Sequence, residues 1–243
     1  MALTDNIVAY WKLDESSGDA TDSVGGFTAI NNGTTGYVAA LINNGVDYGT
    51  ANSTKYMRAA SDVGITGGAI TISTWIKMRT EIASATQCIA LQGDAGVDVN
   101  YIITYEYNAG TRRLGFNRQK QALSNNWTYG SATLGTASWH HVVLTYDGTN
   151  LAGWLDGTQV ASNLATSGNG GSAAVDQVFL GHDDGQFAAT YLSAYQDETG
   201  IWSRALTSGE ISSLYNSGAG LTYPFGGGSP TFAPRMSLLG VGR

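Results

Sequence analysis

Short stretches in which apolar and polar residues alternate dominate the chain. In residues 7–13, Ile7, Ala9, Trp11 and Leu13 share one phase, which predicts a strand showing them to one side of a sheet. Residues 69–79 place Ile70, Ile72, Ile76 and Met78 together and Trp75 on the opposite face. Tyr101, Ile103, Tyr105 and Tyr107 also share a phase. Residues 140–146 read as a strand ending at Asp147-Gly148, and residues 151–160 as a hairpin turning at Asp156-Gly157, a pair that tolerates two positive φ angles. One segment breaks the pattern. Thr207-Ser208-Gly209-Glu210 is a capping box, Leu206 can staple onto Ile211, and Ile211, Leu214 and Tyr215 form one apolar helical face. Gly218 is the expected left-handed stop. Many short strands followed by one short helix predict an all-β sandwich with an appended helix.

The 33 glycines and 13% charged residues in 243 suit tight turns between strands, and the length suits one large domain. A formal charge of −7 argues against nucleic acid as partner, because phosphate binding needs a basic surface. The single cysteine, Cys88, lies in the apolar run Cys88-Ile89-Ala90-Leu91 and reads as a buried thiol. Residues 1–10 show no signal-peptide pattern, and no run approaches the ~20 apolar residues of a membrane span.

Composition changes after Tyr223. All three prolines (Pro224, Pro230, Pro234) fall here beside Gly226-Gly227-Gly228, and residues 218–243 carry two arginines and no acid. Proline removes ladder donors and triglycine resists ordering, so this segment cannot continue a sheet. The expected division is a sandwich over residues 1–222 and a tail over 223–243. The tail reads either as a linker or as a docking peptide using Phe232, Arg235, Met236, Leu238 and Leu239 against a neighbouring subunit.

Five landmarks in order carry a family resemblance: Tyr10-Trp11-Lys12-Leu13-Asp14-Glu15, with Gly18, Asp22 and Gly25-Gly26 after it; Ile70-Thr71-Ile72-Ser73-Thr74-Trp75-Ile76; Trp139 through Gly148; Trp154-Leu155-Asp156-Gly157; and Asp197 through Leu206. With them the chain, over roughly residues 5–218, resembles the laminin-G-like jelly rolls of the concanavalin A-like lectin and glucanase superfamily. The resemblance implies an antiparallel two-sheet jelly-roll sandwich with its ends close together. It implies roles in glycan binding, adhesion or accessory attachment, among which fold alone does not choose. It also implies a structural calcium, with Asp22 and Asp197 as the carboxylates that resemble ligands. The competing reading is that Asp22 caps a turn and Asp197 pairs with Arg204 or a backbone donor.

Catalysis finds little support. Glucanases on this superfold need carboxylates alternating along one strand, whereas Asp14-Glu15 and Asp197-Glu198 are adjacent and point to opposite faces. His140 and His141 diverge for the same reason and cannot chelate one ion. His182, in a polar loop, reads as a turn residue or an ion ligand. Sugars dock on aromatic faces. Tyr101, Tyr105, Tyr107, Arg112, Trp127 and Tyr129, with Arg118, form the most aromatic stretch, and either bind glycan or pack between the layers. The expected function is a non-enzymatic surface protein that binds a polysaccharide. Two settings are weighed: a virus particle decoration or tail component, in contact with neighbouring subunits or copies of itself, and a secreted or cell-surface bacterial adhesion module.

Overall fold

The computed structural model describes residues 1–50, 54–65, 68–83, 85–94, 98–118, 127–164, 177–182 and 191–226. In chain order the strands begin with β1 (Ile7–Trp11), β2 (Ala29–Asn32), β3 (Gly36–Ala39), β4 (Asn44–Asp47) and β5 (Tyr56–Ala59). Then come β6 (Ile70–Met78), β7 (Ala85–Asp94), β8 (Asp98–Asn108), β9 (Thr111–Arg118) and β10 (Thr128–Ser131). The series ends with β11 (His140–Tyr146), β12 (Asn150–Leu155), β13 (Thr158–Leu164), β14 (Gln177–Leu180) and β15 (Ala194–Trp202), followed by helix α1 (Ser208–Tyr215).

Two antiparallel sheets result. An eight-stranded sheet runs β13-β12-β11-β6-β15-β4-β3, with β1 also on β15, and a seven-stranded sheet runs β10-β9-β8-β7-β14-β5-β2. This is the expected jelly-roll sandwich. Alternation explains its interior: Ile70, Ile72, Ile76 and Met78 of β6 and Val142 and Leu144 of β11 meet Tyr101, Ile103 and Tyr105 of β8 and Leu114 and Phe116 of β9 in one core. Trp75 takes the outer phase, as its position in the strand predicts.

Three departures from the sequence reading have local causes. Ile7 leaves the phase of Ala9, Trp11 and Leu13, because the β1–β15 register shifts between Ile7 and Ala9, and it packs on the outer face with Tyr10 and Trp202. Helix α1 has its capping box on Thr207 and Glu210, but it stops at Asn216, which takes the left-handed conformation (φ 47°) two residues before Gly218. The folded body also continues past residue 222, since Tyr223 and Phe225 pack on Tyr10 with centroids 5.8 and 5.2 Å away. The hairpin turn is as expected: Asp156 and Gly157 have φ of 50° and 76°.

Helix α1 closes part of the outer face of the eight-stranded sheet. Ile211 and Leu214 settle with Tyr10, Val143, Trp202 and Leu206 into a second apolar cluster that also takes Leu3 and Phe225. Both ends of the described fold therefore rest on one patch. On the outer face of the seven-stranded sheet the described residues include no helix. Its apolar residues Cys88, Leu91, Ile102 and Phe179 are buried, with Tyr56 and Trp127 packed against them.

Candidate functional site

The outer face of the seven-stranded sheet carries the best-formed aromatic surface among the described residues. At its β10 edge, Trp127 and Tyr129 lie parallel, with centroids 5.6 Å apart and planes 5° apart. The Arg113 guanidinium sits 3.6 Å from the Tyr129 ring centroid. Its Nε and Nη2 donate to one Glu106 oxygen at 3.1 and 2.9 Å, and Thr104 donates to the other at 2.9 Å. The strand register explains this assembly. Glu106 opposes Arg113, Thr104 opposes Gly115, and Tyr129 is on β10 beside Gly115. A Cβ on Gly115 would come within 2.5 Å of Thr104 Oγ1 and 3.0 Å of the Trp127 ring, so glycine is what lets the indole lie flat against the strand. Tyr129 is 39% exposed, an apolar surface held rigid by a charged network beneath it.

A second aromatic cluster lies across the same sheet. Tyr56 of β5 stacks near Phe179 of β14, and His182 stacks on Tyr191 at 4.0 Å and lies 5.2 Å from Tyr56. Arg58 Nε, on the same strand as Tyr56, is buried with no hydrogen-bond partner. Five strand spacings separate β10 from β5, roughly 24 Å. His182 thus serves as a stacking residue, and Asp183 and Asp184 of its loop lie outside the described residues.

The six glycan candidates from the sequence do not share a surface. Tyr101 and Tyr105 are fully buried in the core, their hydroxyls spent on Gly68 O (2.6 Å) and the Leu134 N–H (3.0 Å), so they cannot meet a sugar. Tyr107 and Arg112 share that inward phase at the strand end. Arg112 lies 5.6 Å over Tyr107 and is held by Ile82 O and Glu81. Arg118 is buried over Tyr146. Only Trp127 and Tyr129 reach the outer face. Arg113, Glu106, Tyr56 and Tyr191 were missed, although Arg113 and Glu106 have the phase opposite to the core-facing tyrosines. Phe232, Arg235, Met236, Leu238 and Leu239 lie outside the described residues.

Asp22 does not fit a metal. Its two oxygens accept four backbone N–H groups, from Tyr10, Val24, Gly25 and Phe27, at 2.7 to 3.0 Å. It is a loop organiser. Asp197 differs. Strand β15 pairs with β4 through Gln196 and with β1 from Thr199 onward, and a bulge falls between Asp197 and Gly200. Glu198, in that bulge, has φ 46°. Asp197 Oδ2 accepts from the Ile42 N–H at 2.9 Å, while Asp197 Oδ1 and both Glu198 oxygens are buried without a partner. Burial pushes the Asp197 carboxyl up to about 8 and that of Glu198 up to about 7. Orphaned carboxylate oxygens are the donors calcium takes. Among the described residues no group of three or more His, Cys, Asp or Glu is arranged to hold a metal, so carbonyls and water would complete that shell. Arg204 pairs with Glu210 at 2.7 Å.

Among the described residues a serine–histidine contact is formed in β6 and β11. Ser73 Oγ lies 2.8 Å from His141 Nε2, but the ring is 1% exposed and stacked on Trp75 and near Tyr215. Its Nδ1 has no partner, because Asp156 binds His140 instead. Burial pushes His141 down to about 3, so the ring is neutral. A buried pair lacking an orienting acid cannot work as a nucleophile–base couple. No helix among the described residues is long and apolar enough to cross a membrane.

A family model described as the concanavalin A-like lectin/glucanases superfamily matches residues 49–212. No curated protein sequence matches the chain. Solved structures of the same fold include the binding domain of Paraclostridial mosquitocidal protein 1, with TM-score 0.68 and 15% identity over 89% of this chain and 53% of that one. Another is domain 4 of AbnA, a GH43 extracellular arabinanase from Geobacillus stearothermophilus, in complex with arabinotriose, with TM-score 0.65 and 18% identity over 85% and 97%. A third is the binding domain of botulinum neurotoxin DC in complex with SialylT, with TM-score 0.66 and 13% identity over 89% and 52%. The chain spans about half the length of the two toxin domains and nearly all of the arabinanase domain.

Proposed function

The chain belongs to the concanavalin A-like lectin/glucanase superfamily, and on that premise we propose that it is a non-enzymatic module that binds a glycan on the outer face of its seven-stranded sheet. The observation that carries this reading is the parallel Trp127–Tyr129 pair, braced by Arg113 and Glu106 and leaving the Tyr129 ring exposed. Flat aromatic rings pack against sugar C–H faces, and the partly exposed Arg113 guanidinium offers a hydroxyl partner beside them. The occurrence of binding domains on this fold, one of them complexed with arabinotriose, supports the choice of ligand class. A polysaccharide array tests it. Trp127→Ala and Tyr129→Ala should each weaken the best hit about tenfold or more while the thermal midpoint stays near wild type. Unchanged binding in both variants moves the site elsewhere.

A finer reading concerns the setting. The last described residues dock on Tyr10 and Trp202, on the face opposite the aromatic pair. That polarity suits a module fastened by its tail to a virus particle or cell surface with the sugar face outward. Truncation after Gly226 should leave the sandwich folded and abolish attachment; normal incorporation of the truncated chain overturns the docking role. The calcium implied by the family resemblance is proposed for Asp197 with Glu198, where it would neutralise two buried carboxylates. Its check is a fall in thermal midpoint on adding chelator at pH 8, and no shift removes it.

A further inference from the structure

A cleft of about 340 Å³ opens on the outer face of the eight-stranded sheet, away from the aromatic pair, lined by Val38, Ala39, Lys77, Trp139 and Tyr195. Its geometry follows from register. Lys77 of β6 opposes Tyr195 of β15, and His140 of β11 opposes Ile76, so Trp139 comes up beside Lys77 on its other flank. Lys77 shares the outward phase of Trp75. The edge strand β3 contributes Val38 and Ala39 as the far wall.

The hydrogen-bonding inventory of this cleft is one-sided. The neighbouring carboxylate, Asp47, opposes Tyr195 and is consumed: Arg79 donates to it at 2.6 Å and the Gly49 N–H at 2.8 Å. Arg79 also lies 5.2 Å over the Tyr195 ring, fixing that ring as a wall. Lys77 makes no ion pair or hydrogen bond, and the Trp139 indole N–H has no acceptor, among the described residues. Two aromatic walls thus flank unspent donors, a cation among them, in a protein of net charge −7. The volume is at the lower end of ligand pockets, enough for one or two sugar rings.

We propose that this cleft is a second binding site, specific for a carboxylate-bearing sugar residue such as a uronate, with the carboxylate on Lys77 and the Trp139 N–H and the ring between Trp139 and Tyr195. The site stands on a different face from the Trp127–Tyr129 pair and does not rest on that reading. Isothermal titration of the full chain with trigalacturonate and with its methyl ester is the test. The acid should bind, and more weakly as salt rises. Esterification, Lys77→Gln and Trp139→Ala should each cost about tenfold or more with the thermal midpoint unchanged, while Trp127→Ala leaves the affinity as it was. Absence of binding to trigalacturonate and to a sialylated trisaccharide, equal affinity for the ester, full affinity in Lys77→Gln, or loss in Trp127→Ala would each overturn the proposal.

Discussion

The two outer faces of this sandwich are built from the same pleated strands and finished in opposite ways. The eight-stranded sheet buries Tyr10, Val143 and Trp202 beneath α1 and the closing segment, with Trp202 fully buried and its indole N–H bonded to Leu3 O at 2.7 Å. The seven-stranded sheet buries Cys88, Leu91, Ile102 and Phe179 partly beneath side chains, Trp127 and Tyr56, which are themselves only partly buried. A large ring beneath the helix on the first face is mainly structural, because closing that patch orders the helix. On the second face a ring closes the surface and at the same time faces outward. Tryptophan therefore has two different values on one molecule.

Substitutions rank this difference. Trp202→Ala removes a fully buried indole and should cost about 3–5 kcal/mol in urea unfolding; a loss under 1 kcal/mol would mean that α1 closes nothing. Acid comes next. His141, under Trp75 and Tyr215, binds its proton only at about 3 when folded, against an ordinary value of 6.5. The unfolded chain takes up that proton first, so this contribution is complete above pH 6.5 and is lost as pH falls toward 3. Linkage puts it on the order of 3–5 kcal/mol. The wild-type thermal midpoint should fall more steeply over that window than that of His141→Gln, and parallel profiles would refute it. On the second face, Gly115→Ala pushes against Thr104 and Trp127 and should cost about 1–2 kcal/mol while weakening glycan binding. Smallest is the stability effect of Trp127→Ala, about 1 kcal/mol or less, since its ring is only partly buried. Equal destabilisation by Trp127→Ala and Trp202→Ala would erase the contrast.

What was legible in the sequence was what depends on near neighbours. The Asp156-Gly157 turn and the Thr207–Glu210 box are set by residues a few positions apart, and both occur as expected. Alternation also assigned Tyr101, Tyr105 and Tyr107 to one face. It could not say which face turned inward, because β8 carries Ile102 on its other side and both sides have buried apolar residues. The tyrosines went to the core and the polar row of Thr104 and Glu106 went out. Asp22 and Asp197 looked alike as isolated loop or strand acids. Their difference lies in partners: three N–H donors within five residues of Asp22 with a fourth from Tyr10 of β1, and a forked strand edge for Asp197 that exists only after β1 and β4 meet β15. The Lys77–Trp139–Tyr195 cleft joins three distant stretches, and no local pattern announces it.

Leu3 and Phe225 rest on one patch around Tyr10 and Trp202. A host polypeptide could therefore carry the whole sandwich as an insertion in a surface loop, entering and leaving through neighbouring points. Stretching by those points would load β1 against β15, pulling on the Tyr10–Trp202–Phe225 patch before the sheets' interior is disturbed.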